Sequence, residues 1–179
     1  MKKYVALLRG INVGGNNKVE MKRLKAVFES LGHTKVVTYI NSGNVIFETN
    51  EADTAPIIEK AIAKEFGFLV RVVVRTAKNI QAIIAKVPKD WINGDGQKTD
   101  VLFFWDEFDN KESINHLKAT KVDTLIYVKG AIIWHIAVKD YGKSAIPKFI
   151  GTPLYKHMTA RNINTVRKLA ELMQIETSK

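Results

Sequence analysis

Apolar positions along the chain change period in a regular order. Residues 5–9 (VALLR) form a short apolar run that predicts a strand, and Met21, Leu24, Val27, Phe28 and Leu31 then recur at helical spacing. Asn17 followed by Glu20 has the form of a capping box, which starts that helix near Lys18, and Gly32 is placed to end it. Residues 35–40 and 44–48 read as two strands joined by a tight turn at 41–43. Ile57, Ile58, Ala61, Ile62 and Phe66 mark a second helix, opened by Asp53 or Thr54, with Pro56 in its first turn and Gly67 at its end. Residues 68–75 are rich in β-branched side chains and predict a further strand. Strand, helix, strand, strand, helix, strand is the order of a ferredoxin-like unit.

Thr76 then opens a helix that turns Ile80, Ile83, Ile84 and Val87 inward and stops at Pro88. The loop at 89–98 holds Asn93, Gly94, Asp95 and Gly96 and is the expected boundary between two subdomains, 1–88 and 99–179. Beyond it the pattern predicts a strand at 101–105, a short helix capped by Asp109 with Glu112, and a hairpin of 124–129 with 132–138 turning at Gly130. A helix at 144–150 disturbed by Pro147 follows, then a last helix from about 160 to 173 with Ile163, Val166, Leu169, Ala170 and Met173 inward. No fourth strand is legible here. The fold expected is α+β, with a ferredoxin-like first subdomain, an incomplete ferredoxin-like second one, and a C-terminal helix packing back on the first.

Composition narrows the setting. A chain of 179 residues, 46% hydrophobic and 26% charged, has the profile of a globular protein with a real core. The opening apolar run is too short for a signal peptide, no later run has the length of a membrane span, and cysteine is absent, so a cytoplasmic location without membrane contact is expected. Of the formal charge of +10, residues 1–27 carry +6 and residues 139–168 another +6, leaving −2 for the rest. Such surfaces attract anions.

Three polar stretches stand out, and two of them coincide with the basic segments. Residues 7–17 (LLRGINVGGNN) place three glycines and three asparagines after the first strand, residues 39–47 read YINSGNVIF, and residues 159–169 read TARNINTVRKL. In a ferredoxin-like sheet the first and third strands lie antiparallel in the centre. Arg9 and Gly10 therefore adjoin Gly43 and Asn44 at one end of the sheet. There Arg9 and the backbone N–H groups of Gly10, Gly14 and Gly15 could hold a phosphate or carboxylate, with Asn12, Asn41, Ser42 and Asn44 as further partners. The plainer alternative is that the glycines only permit the turn and the asparagines cap backbone groups. Thr159 reads as the N-cap of the last helix, which would put Arg161, Asn162 and Asn164 at a second anion-attracting helix start beside Lys156 and His157. If the two sites share a ligand, Arg9 and Arg161 face one cleft between the subdomains.

Stronger motifs are missing. The GxxxGG at Gly10 to Gly15 lacks dinucleotide-fingerprint spacing, Gly142-Lys143-Ser144 lacks the upstream glycine of a phosphate-binding loop, and Ser42 is not in a GxSxG elbow. His33, His116, His135 and His157 form no HExxH pair, so no metal site is expected, and His135 reads as structural. The residues name no reaction, catalytic residue, cofactor or oligomeric state. Together the three polar stretches resemble the signatures of a bacterial family, domain of unknown function 1697, over nearly the whole chain. That resemblance implies a cytoplasmic α+β protein with two subdomains and ferredoxin-like character, and brings no activity, substrate or catalytic residue. The function expected is binding of a small anionic, phosphate-bearing ligand. The alternatives are an RNA-binding module stacking bases on Tyr4 and Phe47 of the central strands, and a protein-interaction scaffold.

Overall fold

The computed structural model describes residues 1–52 and 54–174 of the chain. Asp53, one of the two residues expected to open the second helix, lies outside the described residues. The chain divides into two compact units: Met1–Ala77 together with the chain from Glu171, and Lys78–Ala170.

In the first unit, β1 (Lys2–Leu8), β2 (Thr34–Tyr39), β3 (Asn44–Thr49) and β4 (Val72–Thr76) form an antiparallel sheet in the order β2-β3-β1-β4, with helices α1 (Met21–Ser30) and α2 (Ala55–Phe66) in the connections. This is the ferredoxin-like arrangement expected. Alternation along the strands sends Ala6, Leu8, Val45, Phe47 and Val72 to the helices, where they close a core with Leu24, Phe28, Ile58 and Ile62. Removing a buried leucine, isoleucine or phenylalanine side chain from such a core costs about 2 to 5 kcal/mol. The opposite face is buried too, since Val5 and Leu7 are 0% exposed, Ile46 3% and Val73 2%.

The first helix begins three residues later than its capping-box pattern suggests. Asn17 is left-handed, at φ 48°, and donates its side-chain N–H to the Gly10 carbonyl instead of capping a helix. The second helix ends as expected: Gly67 takes φ 80° and donates its N–H to Ala63 O.

The second unit holds α3 (Ala77–Ile84), whose first residue belongs to the other unit, then β5 (Gln97–Phe104), α4 (Ser113–His116), β6 (Thr124–Val128), β7 (Ala131–Ala137), α5 (Ile146–Phe149), β8 (Met158–Asn162) and α6 (Ile163–Leu172). Its sheet runs β6-β7-β5-β8, the same order as the first. The fourth strand that could not be read from the sequence is β8, paired antiparallel with β5 from Asp100↔Asn162 to Phe104↔Met158. The last helix therefore starts at Ile163, and Thr159 lies in a strand rather than at an N-cap. The cap is Asn162, whose Oδ1 accepts the Thr165 N–H at 2.9 Å. Asp109 does not cap α4 either: its carboxylate accepts from the Tyr127 hydroxyl and the Gly130 N–H, both at 2.9 Å, while Asn110 takes the Glu112 N–H.

Candidate functional site

The first polar stretch is a miniature hairpin. Asn16 N–H reaches Val13 O at 3.1 Å across Gly14 (φ 58°) and Gly15 (φ 79°), and two successive residues at positive φ are what a type I′ turn demands. Behind the turn, Asn12 N–H reaches Asn17 O at 3.1 Å. Asn12, itself at φ 54°, works as a three-way bracket. Its Oδ1 accepts the Val19 N–H at 2.8 Å, and its Nδ2 donates to Val19 O at 3.0 Å and to Asn41 O at 2.9 Å. The last of these ties the hairpin to the second polar stretch.

That second stretch forms the β2–β3 turn. Asn44, fully buried, donates its side-chain amide to Tyr39 O at 2.9 Å and to Ser42 Oγ at 3.0 Å, closing the turn on itself. Leu8 N–H donates to Gly43 O at 2.8 Å, which carries the turn onto the end of β1. Gly43 sits at φ 80°, and a Cβ there would fall 2.7 Å from Ile11 Cδ1 and 2.8 Å from Leu8 Cβ, so only glycine fits. Ile40 is at φ 49°, a conformation rarely taken by a β-branched residue, and its side chain is 47% exposed.

The predicted meeting of Arg9, Gly10, Asn12, Asn41, Ser42, Gly43 and Asn44 at one end of the first sheet is thus observed. For the Asn12, Asn17 and Asn44 side chains the structural reading is the one seen, since their hydrogen bonds build the two turns. Exposed at the surface are the turn from Val13 to Asn16, Lys18, Asn41 and Ser42. Arg9 is half-buried at the end of β1 and donates its backbone N–H to Arg71 O. Charge nearby is partly compensated: Arg23 pairs with Glu65 at 2.7 Å and Lys25 with Glu29 at 3.7 Å.

The third polar stretch lies in the second unit. Arg161 is buried and donates from one guanidinium nitrogen to Thr159 Oγ1 and Ala160 O, and desolvation pulls its pKa down to about 10. Asn164 exchanges hydrogen bonds with the Asn93 backbone, and Arg167 donates to the carbonyls of Trp91 and Pro88, so this stretch fastens the loop preceding β5.

Sequence reasoning passed over Arg75, the counterpart of Arg161. Val5 pairs with Arg75 as Val101 pairs with Arg161, and Arg75 donates to the carbonyl of the preceding residue, Val74, just as Arg161 does to Ala160. The available signal was an Arg-polar pair, RT and RN, directly before a helix with apolar residues at matching positions.

Tyr4 and Phe47, the proposed base-stacking pair, stack on each other with centroids 5.8 Å apart, and Phe47 is 0% exposed beneath the helices. His135 bonds Thr99 through Nδ1 at 2.8 Å and stacks on Trp91 at 4.1 Å, the structural role expected of it. No group of three or more histidine, aspartate or glutamate side chains suited to a metal occurs among the described residues. No helix among them is long and apolar enough to cross a membrane.

The family "Protein of unknown function (DUF1697)" matches residues 1–134. The chain belongs to the DUF1697 family. The match takes in the hairpin, the β2–β3 turn and all of the first sheet, and it runs into β7. A solved structure of a conserved bacterial protein from Streptococcus pneumoniae extends the likeness: 30% identity, TM-score 0.83, with 97% of this chain and 99% of that chain covered. Both units of this DUF1697 protein therefore belong to one shared fold. No curated protein matches the chain.

Proposed function

We propose that this DUF1697 protein binds a small phosphate- or carboxylate-bearing ligand at the end of the first sheet. The ligand would rest on the hairpin of residues 12–17 and the Ile40–Ser42 side of the adjoining turn. The observation that carries the reading is the bracket made by Asn12: it fixes an exposed turn of left-handed residues in one conformation and joins it to the second polar stretch. Beside it Ile40, a β-branched residue, is held left-handed at φ 49° while 47% exposed, and strain of this kind costs stability and is concentrated at binding sites. Fixed backbone N–H groups with Lys18 and Arg9 close in sequence suit an anion. The reading rests on the first two polar stretches alone. A cytoplasmic location accords with the absence of cysteine. Base stacking on the sheet has little support, because Phe47 is enclosed in the core.

A thermal-shift screen of nucleotides, sugar phosphates, dicarboxylates and inorganic phosphate tests the proposal. One compound should stabilise the protein saturably, by about 2.7 kcal/mol at a hundred times its Kd. Gly14→Val and Gly15→Val, which disfavour the turn, should lower or abolish that response. A flat melting temperature across the panel would count against the proposal.

A further inference from the structure

The second unit is electrically lopsided. Its fifteen basic and nine acidic residues give +6, and residues 117–156, with seven lysines against Asp123 and Asp140, carry +5 of it. Two contacts fold this segment on itself. Thr120 Oγ1 donates to Lys143 O at 3.1 Å, and Asp123 accepts from Ser144 Oγ at 2.5 Å and from Ala145 N–H at 3.0 Å. Lys118, Lys121, Lys139, Lys143 and Lys148 are all exposed and all lie within four residues of one of these contacts. Lys143 takes Asp140 at 2.9 Å, whereas Asp123 spends its oxygens on the neutral donors of Thr120, Trp134, Ser144 and Ala145. These five lysines against the two carboxylates of the segment leave an excess of +3.

We propose that this lysine cluster is a sequence-independent docking surface for the phosphate backbone of a nucleic acid. The inference stands apart from the small-ligand site in the first unit. Lysine supplies compact charges on flexible stems rather than the bidentate fork that reads base edges, which suits backbone contact. An anionic lipid surface is the poorer fit, because α5 spans four residues and the neighbouring 3-10 turn, Val138–Lys143, spans six. Neither offers the amphipathic helical face that buries itself in an interface.

Neutralising about three phosphates predicts an affinity that falls with salt at a log–log slope of roughly 2 to 3. Between about 50 and about 200 mM salt that is roughly a 20- to 40-fold loss. The test is fluorescence anisotropy of a short labelled oligo(U) RNA and a short labelled duplex DNA titrated with the full chain. The triple variant Lys118→Gln, Lys121→Gln, Lys148→Gln is compared with Lys2→Gln, Lys60→Gln, Lys64→Gln, which removes the same charge from exposed positions of the first unit. The expected result is binding with that slope, lost in the first variant and kept in the second, while both melt like the parent. Three outcomes would overturn the proposal: no anisotropy change at low salt, equal loss in the two variants, or sedimentation with phosphatidylserine vesicles without nucleic-acid binding.

Discussion

Replacing Gly43 by alanine should be far more damaging than the same change at Gly14, although both glycines are at positive φ. Alanine pays about 1 to 2 kcal/mol for the left-handed conformation at either position. At Gly14 nothing lies within 4 Å of the added methyl, so that cost is the whole effect. At Gly43 the methyl meets Ile11 Cδ1 at 2.7 Å and Leu8 Cβ at 2.8 Å. The isoleucine tip can swing away, but Leu8 Cβ is fixed to the central strand, whose N–H bonds Gly43 O. Relief then requires the β2–β3 turn to lift from β1, and overpacking of this kind adds about 1 to 3 kcal/mol. Gly43→Ala should thus cost about 2 to 5 kcal/mol and Gly14→Ala about 1 to 2. Urea denaturation followed by far-UV circular dichroism measures both, with midpoints compared at unchanged slope. Equal midpoints for the two variants would refute the claim that this turn is clamped to the strand.

Other expectations follow from buried charge. Burial opposes ionisation of Asp123, but hydrogen bonds from Ser144, Ala145, Thr120 and Trp134 outweigh it and hold the carboxyl at about 2. The stability it contributes is present above the unfolded value of 3.8 and is lost as pH falls from there toward 2. Discounted for its partial exposure, the effect is about 1 to 2 kcal/mol. Asp123→Asn should lose it at neutral pH, read by tryptophan fluorescence because all three tryptophans lie in the second unit, and an unchanged midpoint would contradict the assignment. His33 is 4% exposed between Phe28 and Phe47 with neither ring nitrogen hydrogen-bonded, and desolvation lowers its pKa despite Glu51. Its unfolded form takes up a proton that the folded form resists, so stability is held above 6.5 and falls as pH drops below it. His33→Phe should flatten that acid limb in a series of melts between about pH 7 and pH 5, and an unaltered limb would show that His33 does not drive it.

Most of the first unit was legible because each of its apolar runs keeps one period from end to end. The second unit hid a strand because β8 puts polar residues on a buried face: Thr159 and Arg161 alternate with Met158 and Ala160, which erases the contrast that marks a strand. The helical period beginning at Ile163 then reads backward over the strand's last three residues, to about Ala160. Asn17 misled for a different reason. Asn-x-x-Glu is a local signal, and a residue bonded to Gly10 O inside a hairpin carries the same letters as a cap. The meeting of the first two polar stretches was inferred from strand order alone and is observed in the bonds Leu8 to Gly43 and Asn12 to Asn41. What strand order could not supply was the state of the Asn12, Asn17 and Asn44 amides, which donate to acceptors within the two loops and to the end of β2.

The two sheets share the register of their central strands, although β2 and β3 carry a shift between Thr34 and Val37 that β6 and β7 lack. Leu8 N–H to Gly43 O corresponds to Phe104 N–H to Gly130 O, and Arg9 N–H to Arg71 O corresponds to Trp105 N–H to His157 O. At aligned positions Val5 and Val101, Ile46 and Ile133, Gly43 and Gly130, and Arg75 and Arg161 are the same residue, too sparse a set to be seen as a repeat in sequence. The halves part company after their first strands. In the second unit the chain bends back so that Asp109 puts its own carboxylate on the Gly130 N–H. In the first, the chain instead builds the bracketed hairpin and leaves its turn in solvent. One half thus supplies an anion to its strand end from within, and the other presents an ordered surface there without contributing a carboxylate from residues 9–19. That divergence on a common scaffold is the reason to look for a ligand at the first unit's loop rather than at its counterpart.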